Sequence, residues 1–417
     1  MSELKTKAYW NGEWHNGRGG TFPVFNPANG EKIADVANCI IKDYEEAVSS
    51  ASKAFRSWSR TTVKERASLL HKLKDLLLQN KEEIATLLTM ENGKSKSESL
   101  VKLGSLLPSS SGLPRNRNVS TEKQFQVHSI KKICHHQTTC WSGCLNYSQV
   151  GSFLANSENI QILSFTGSVE AGKKLYSLSA NTVKKISLEL GGNAPFIVFP
   201  SADLKLAVNG AMAAKFRNSG QTCVSGNRFF VHDSIHDEFV KSFSEAIDSQ
   251  LKLGNGLEEG VSQGPLINNR QLERLRKIVD ETVIMGAKVF KGGKAKTGLF
   301  FEPTILTKVT VGMPAAREEI FGPVAAIIRF KTEEEVIKWA NDTDRGLAGY
   351  VYTNDYSQSW RMAEALEYGM VGVNESLVST CETPFGGIKT SGFGKEGSKH
   401  GLDEYSILKY VCFGGLD

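Results

Sequence analysis

What this 417-residue sequence lacks narrows its identity first. No unbroken apolar run reaches the roughly 20 residues a bilayer demands, and no N-terminal apolar stretch resembles a secretion signal. Neither a membrane-spanning nor a secreted chain is therefore expected. Proline is scarce, at 11 residues, and the 39 glycines follow no period, which excludes collagen-like and disordered chains. Charge of one sign is also in short supply, since 50 Lys+Arg oppose 45 Asp+Glu for a formal +5. That excess is local. Residues 101–149 hold Lys102, Arg115, Arg117, Lys123, Lys131 and Lys132 against Glu122 alone, leaving 44 charges of each sign elsewhere. The same stretch carries His128, His135, His136, Cys134, Cys140 and Cys144, out of eight His and seven Cys in all.

What is present is ordinary for a globular enzyme, with 40% hydrophobic and 23% charged residues. At roughly 150 residues per domain, two or three domains are expected, each burying its own core. Val63, Ala67, Leu70, Leu73 and Leu77 recur at helical spacing and predict an amphipathic helix, with another starting near Lys81. Residues 160–165 read as a short apolar strand, Thr166-Gly167-Ser168 as a turn, and Val169 as the start of a helix. Strands follow at 186–190 and 196–199, separated by Gly191-Gly192. Ser201 is the expected N-cap of a helix carrying Leu204, Val208 and Met212, which stops at Asn218-Ser219-Gly220. Strands alternating with helices predict an α/β fold with a largely parallel sheet.

Several residues carry chemical potential. Cys223, in Gly220-Gln221-Thr222-Cys223, sits in a small-residue loop just past a predicted helix, where nucleophiles are commonly displayed. A buried cysteine packed as a small hydrophobe is the plainer reading of any cysteine taken alone. Glu189, in Leu188-Glu189-Leu190-Gly191-Gly192, places a carboxylate in an apolar strand. Burial would raise its pKa towards the range of a general base, and a buried ion pair is the competing reading. Gly167, Ser168 and Gly172 surround a helix start that could face a phosphate, although the spacing departs from the full dinucleotide fingerprint. Glu319 and Phe321, in Glu318-Glu319-Ile320-Phe321-Gly322-Pro323, could hold a ribose and a ring.

Together these motifs, with Pro384-Phe385-Gly386-Gly387-Ile388-Lys389-Thr390-Ser391-Gly392, closely resemble the aldehyde dehydrogenase superfamily over residues 1–100 and 150–417. Lys215-Phe216-Arg217-Asn218 and the ending Lys409-Tyr410-Val411-Cys412 are similar to its succinate-semialdehyde dehydrogenase branch. The resemblance implies a Rossmann-type NAD(P)-binding domain at 1–190, a catalytic domain at 191–391, and a C-terminal return and oligomerisation strand at 392–417. It implies NAD or NADP as cofactor, a small aldehyde as substrate, a homo-oligomer, and neither nucleic acid nor metal. Cys223 would attack the aldehyde carbon to form a thiohemiacetal. Hydride transfer to the nicotinamide would leave a thioester, and Glu189 would activate the hydrolytic water. Arg217 would grip the distal carboxylate, assisted by the hydroxyls of Ser379 and Thr380. Glu319 and Phe321 would hold the nicotinamide riboside, and Gly167, Ser168 and Gly172 the pyrophosphate region. Ser225 stands where some members of this branch carry a second cysteine, so a redox switch there is not expected.

Residues 101–149 break the resemblance. Cys134, His135, His136, Cys140 and Cys144 fit no standard zinc spacing, and the basic residues lack the interleaved aromatics of a nucleic-acid module. Back-translation accounts for more. With the first two bases dropped, residues 108–121 can spell Phe-Phe-Glu-Trp-Phe-Ala-Glu-Glu-Gln-Lys-Arg-Val-Tyr-Gly. With one base dropped, residues 131–148 can spell Lys-Lys-Phe-Val-Ile-Ile-Lys-Gln-Pro-Val-Gly-Val-Val-Ala-Leu-Ile-Thr-Pro. Both are what the family carries here, so an out-of-frame stretch and a deletion ending near Val150 are expected. The change would remove strands of the cofactor sheet, a second substrate arginine, the adenosine-ribose lysine motif and the Pro-Trp-Asn-Phe-type motif that supplies an oxyanion donor. Losing one such donor typically costs about 10²–10³ in rate. The expectation is a chain that binds dinucleotide poorly and turns over little, at most associating with intact subunits or retaining a thiol-esterase activity. Because Tyr9-Trp10-Asn11-Gly12-Glu13-Trp14 matches the family's first strand, no transit peptide is visible. A cytoplasmic location is expected, or the mitochondrial matrix if the N-terminus is incomplete.

Overall fold

The computed structural model describes residues 4–105, 133–136 and 147–415. The remaining positions, including Cys140, Cys144 and most of the compositionally odd segment, lie outside the described residues.

The larger sheet has seven strands in the order Lys288–Lys291, Thr304–Thr307, Val324–Phe330, Gly226–His232, Ala194–Val198, Ala348–Tyr352 and Met370–Val373. Only the first pairing is antiparallel. A parallel sheet is covered on both faces, so its strands read as continuous apolar runs; every residue of Ala194–Val198 is buried. Successive side chains still part to opposite faces. Phe229, Ile327 and Tyr350 join Phe239 and Phe243 under the helices Leu204–Phe216 and His236–Gln250. Phe230, Ile328 and Val351 join Leu275 and Ile278 under the helix Asn269–Ile284.

A smaller sheet runs in the order Gly392–Phe393, Lys185–Glu189, Ile162–Thr166 and Ile133–His136. The last three are mutually parallel, and Gly392–Phe393 returns antiparallel from the far end of the chain. The strand Ile133–His136 falls within the segment that breaks the family resemblance, and it keeps a four-residue register from Ile133↔Ile162 to His136↔Phe165. A ladder is made by backbone groups, so side-chain periodicity is no precondition for it.

Two expectations change. Asp203, not Ser201, caps the helix Leu204–Phe216: its Oδ1 accepts the Leu206 N–H at 3.0 Å. Ser201 lies two residues too early to reach that N–H, and its hydroxyl pairs with Thr353 Oγ1 at 2.8 Å. The helix Val63–Gln79 forms as expected, with Thr62 and Glu65 making a capping box. No residue of it is buried, however; Val63, Leu70 and Leu73 are 69%, 67% and 52% exposed. Its apolar stripe has the period of a core-facing helix, but the described residues supply no partner that buries it.

Candidate active site

The cysteine loop begins where Leu204–Phe216 ends. Arg217 turns extended (φ −53°, ψ 130°), and Asn218, Ser219 and Gly220 then take left-handed backbone with φ of 51°, 56° and 72°. For the two non-glycine residues this conformation costs on the order of 1–3 kcal/mol each, so the surroundings must enforce it. They do. Asn218 N–H donates to Glu98 Oε1 at 2.7 Å, Ser219 Oγ to the Gly264 carbonyl at 2.9 Å, and Ile267 N–H to Gln221 Oε1 at 3.0 Å. Gly220 is obligatory, because a Cβ there would stand 2.1 Å from the Gly322 carbonyl oxygen. The loop delivers Cys223 half-buried against the Phe196–Tyr350 side of the larger sheet. Burial first, then the carboxylates of Glu319 and Glu189, push its thiol up to about 12, while Arg217 pulls the other way.

Glu189 closes the strand Lys185–Glu189 and is 3% exposed. Neither carboxylate oxygen has a hydrogen-bond partner among the described residues. Burial, reinforced by Glu396 and opposed by Lys395, pushes it up to about 9. A buried, unsatisfied carboxylate is expensive unless protonated, which is the state this environment favours at neutral pH.

The two glycines that follow join the parts. A Cβ on Gly192 would lie 2.3 Å from the Cys223 carbonyl oxygen, and one on Gly191 would lie 2.3 Å from Glu319 Oε2. Only glycines let the cysteine loop and Glu319 close on the strand end together. Glu319 Oε1 accepts the Gly192 N–H at 3.0 Å, and Arg274 Nη2 donates to the Glu319 carbonyl at 2.5 Å. Burial raises the Glu319 carboxyl to about 7, against the opposing pull of that N–H, Arg345 and Arg274. Its Oε2 accepts no hydrogen bond among the described residues, which leaves it an open acceptor that a sugar hydroxyl could donate to. Phe321, beside it, holds a left-handed φ of 51°, unusual for an aromatic residue.

The other anticipated residues are disposed differently. Gly167 donates its N–H to the Glu189 carbonyl at 3.0 Å, so that N–H is already committed within the protein. Ser168 is the N-cap of the helix Val169–Ser179, its Oγ accepting the Ala171 N–H at 3.3 Å. Gly172 serves close packing, since a Cβ there would meet Leu190 Cδ1 at 2.5 Å. Arg217 is near enough to Cys223, Lys94 and Tyr350 to act on their charge states. Ser379 and Thr380 lie exposed on the loop after Met370–Val373, where Thr380 Oγ1 meets Thr383 Oγ1 at 3.2 Å. Sequence reasoning passed over Glu98, which reaches the cysteine loop from the helix Lys96–Ser105, and Glu396, which faces the same buried ground as Glu189. Neither stands in a pattern that marks it. Among the described residues no group of three or more His, Cys, Asp or Glu is arranged to hold a metal. No helix of the described residues is long and apolar enough to cross a membrane.

Known proteins resemble the chain over most of its length. The sequence profile described as "Aldehyde dehydrogenase family" matches residues 14–108 and 144–411, passing over 109–143. Mitochondrial succinate-semialdehyde dehydrogenase of Rattus norvegicus is 43% identical over 461 residues, covering 95% of this chain and 88% of that protein. That alignment is longer than this chain, so the rat protein carries residues with no counterpart here. The crystal structure of succinate-semialdehyde dehydrogenase from Burkholderia pseudomallei superposes with a TM-score of 0.88 at 34% identity, covering 99% of both chains. A betaine aldehyde dehydrogenase point mutant from Staphylococcus aureus, solved in complex with NAD+, gives a TM-score of 0.87 at 27% identity, covering 98% of this chain and 97% of that one.

Proposed function

Since the chain belongs to the aldehyde dehydrogenase family, we propose that it oxidises a short aldehyde bearing a distal carboxylate, succinate semialdehyde in the first instance. The product is the acid and the cofactor a nicotinamide dinucleotide. The observation that carries this reading is the double glycine at 191–192, which brings Cys223 and Glu319 onto the strand end that holds Glu189. Arg217 beside the thiol supplies a planar cation for a carboxylate, the feature that favours an ω-acid semialdehyde over a neutral aldehyde.

At rest the Cys223 thiol is neutral, and Glu189 and Glu319 are the carboxylates that act on it. In the attack the sulfur bonds the carbonyl carbon as the C=O π bond opens, and the thiol proton passes to the former carbonyl oxygen to give the thiohemiacetal. Glu319, its Oε1 fixed by Gly192, leaves Oε2 for a ribose hydroxyl, with Phe321 alongside. A bound dinucleotide supplies the hydride acceptor. Glu189, deprotonated, takes a proton from the water that attacks the resulting thioester, and the sulfur is the leaving group. Formation of reduced nicotinamide from succinate semialdehyde by the purified chain, lost in Cys223→Ala, tests the whole reading. NAD+ and NADP+ assayed in parallel settle which is used.

The interval passed over by the family profile favours a second reading, in which the cofactor domain is impaired. A fluorescence titration with NADH separates the two: saturation in the micromolar range supports the dehydrogenase, and absence of binding supports the impaired chain. Division into 1–190, 191–391 and 392–417 belongs to the same proposal, as does a homo-oligomer built through the C-terminal residues, where Leu408 and Tyr410 are exposed. The rat relative's name supports a mitochondrial location rather than a cytoplasmic one, which cell fractionation with an antibody to the chain decides.

A further inference from the structure

Two side chains that the proposed chemistry does not use reach the backbone just beyond Cys223 from opposite elements. Lys215, in the last turn of Leu204–Phe216, is wholly buried, and its Nζ donates to the Gly226 carbonyl at 2.8 Å, its one hydrogen bond among the described residues. Tyr350, in Ala348–Tyr352, is also wholly buried, and its hydroxyl donates to the Val224 carbonyl at 2.7 Å. Lys215 therefore ties the residue before Phe216 to the residue that opens Gly226–His232, closing the base of the loop that carries Cys223. Packing alone does not account for a lysine here. Burial brings the Lys215 amine down to about 7 against the opposing pull of the Glu319 carboxylate, a cost that an unbranched apolar side chain of the same volume would not carry.

We propose that Lys215 and Tyr350 are positioning residues that clamp the Val224–Gly226 carbonyls and thereby hold the Cys223 sulfur in its half-buried aim. The clamp acts on the downstream side of Cys223, while the left-handed Asn218 and Ser219 on the upstream side are held separately by Glu98 and the Gly264 carbonyl. Burial is the largest cause of the raised thiol pKa, so an opened loop exposes the sulfur and brings its titration back towards that of an ordinary cysteine.

The inference rests on Cys223 being the nucleophile, and its test needs neither aldehyde nor cofactor. Lys215→Met and Tyr350→Phe each remove one donor at nearly constant volume. The rate of iodoacetamide labelling is followed across about pH 6–10 by mass spectrometry of the Cys223 peptide, with half-buried Cys39 and exposed Cys412 as internal references. In each variant Cys223 labelling is expected to rise at least about fivefold near pH 8, with its pH profile displaced downward and Cys39 unchanged. Profiles that superpose on the parent, or slower labelling, overturn the clamp. Should Lys215→Met label at Cys39 like an unfolded chain, Tyr350→Phe alone decides. A parent chain whose Cys223 already labels as fast as exposed Cys412 overturns the clamp, whereas unchanged nitrophenyl-ester hydrolysis by Cys223→Ala overturns the nucleophile assignment instead.

Discussion

Replacing Glu189 by Gln separates its chemical from its structural role, because both trace to one buried proton. With the carboxyl pushed up to about 9, only about 1% is ionised at pH 7, and that fraction grows tenfold per pH unit until it levels near 9. Deacylation that uses Glu189 as base should climb with unit slope from about pH 6.5 and flatten near 9. The assay is decay of the acyl-enzyme formed on Cys223 by a nitrophenyl ester, which isolates this step from thiol ionisation. Glu189→Gln should be flat with pH and slower by about 10²–10⁴ on the plateau. Stability moves in the opposite sense. The folded-state pKa is raised, so the protonated carboxyl's contribution is fully present below the unfolded value of 4.5 and is lost as pH rises through about 9. A shift from 4.5 to about 9 sets a ceiling of about 6 kcal/mol on that loss. Glu189→Gln should escape it, so its melting temperature should gain on the parent's between about pH 4.5 and 9 and level off above that. A parent deacylation rate independent of pH, or a Gln variant with the parent's slope, refutes the assignment of Glu189 as the base.

Three further substitutions probe neighbouring parts of the site. Arg217→Met should raise KM for succinate semialdehyde by about 10–100-fold, the worth of a charge-assisted hydrogen bond, and leave a neutral aldehyde of equal length nearly unaffected; steady-state kinetics with both substrates check it. Gly191→Ala drives a methyl into Glu319 Oε2 and should weaken dinucleotide affinity by at least about tenfold in a fluorescence titration, with little change in Cys223 labelling. Gly172→Ala overpacks Leu190 and should cost about 1–3 kcal/mol, read from denaturant midpoints.

The reactive parts were legible where a residue type is costly in its setting. A glutamate in an apolar strand, two glycines after it, and a cysteine amid small residues all stand out because burial or backbone freedom must be explained. Contacts between distant segments were not legible. Nothing local tells that Gly192 abuts the Cys223 carbonyl or that Gly172 packs on Leu190, because both are tertiary approaches. Lys215 escaped for the opposite reason: a lysine is ordinarily a surface residue, and no periodicity marks this one as wholly buried. Ser201 misled because serine and aspartate both cap, and the reach to Leu206 decides between them. The helix at Val63–Gln79 shows that period fixes which face is apolar but not what covers it.

That face, uncovered among the described residues, bears on how the protein behaves outside any assay of turnover. Leu69, Leu70, Leu73 and Leu76 are each about half or more exposed along one helix, an unbroken greasy strip of the kind that draws hydrophobic dyes, holdase chaperones and other copies of the same chain. Rising salt sharpens such attraction by screening the charges that keep molecules apart, here a net +5 spread over 417 residues. Far from the thiol, residues 63–79 therefore add a colloidal property to the described part of the chain that no assay of turnover reads.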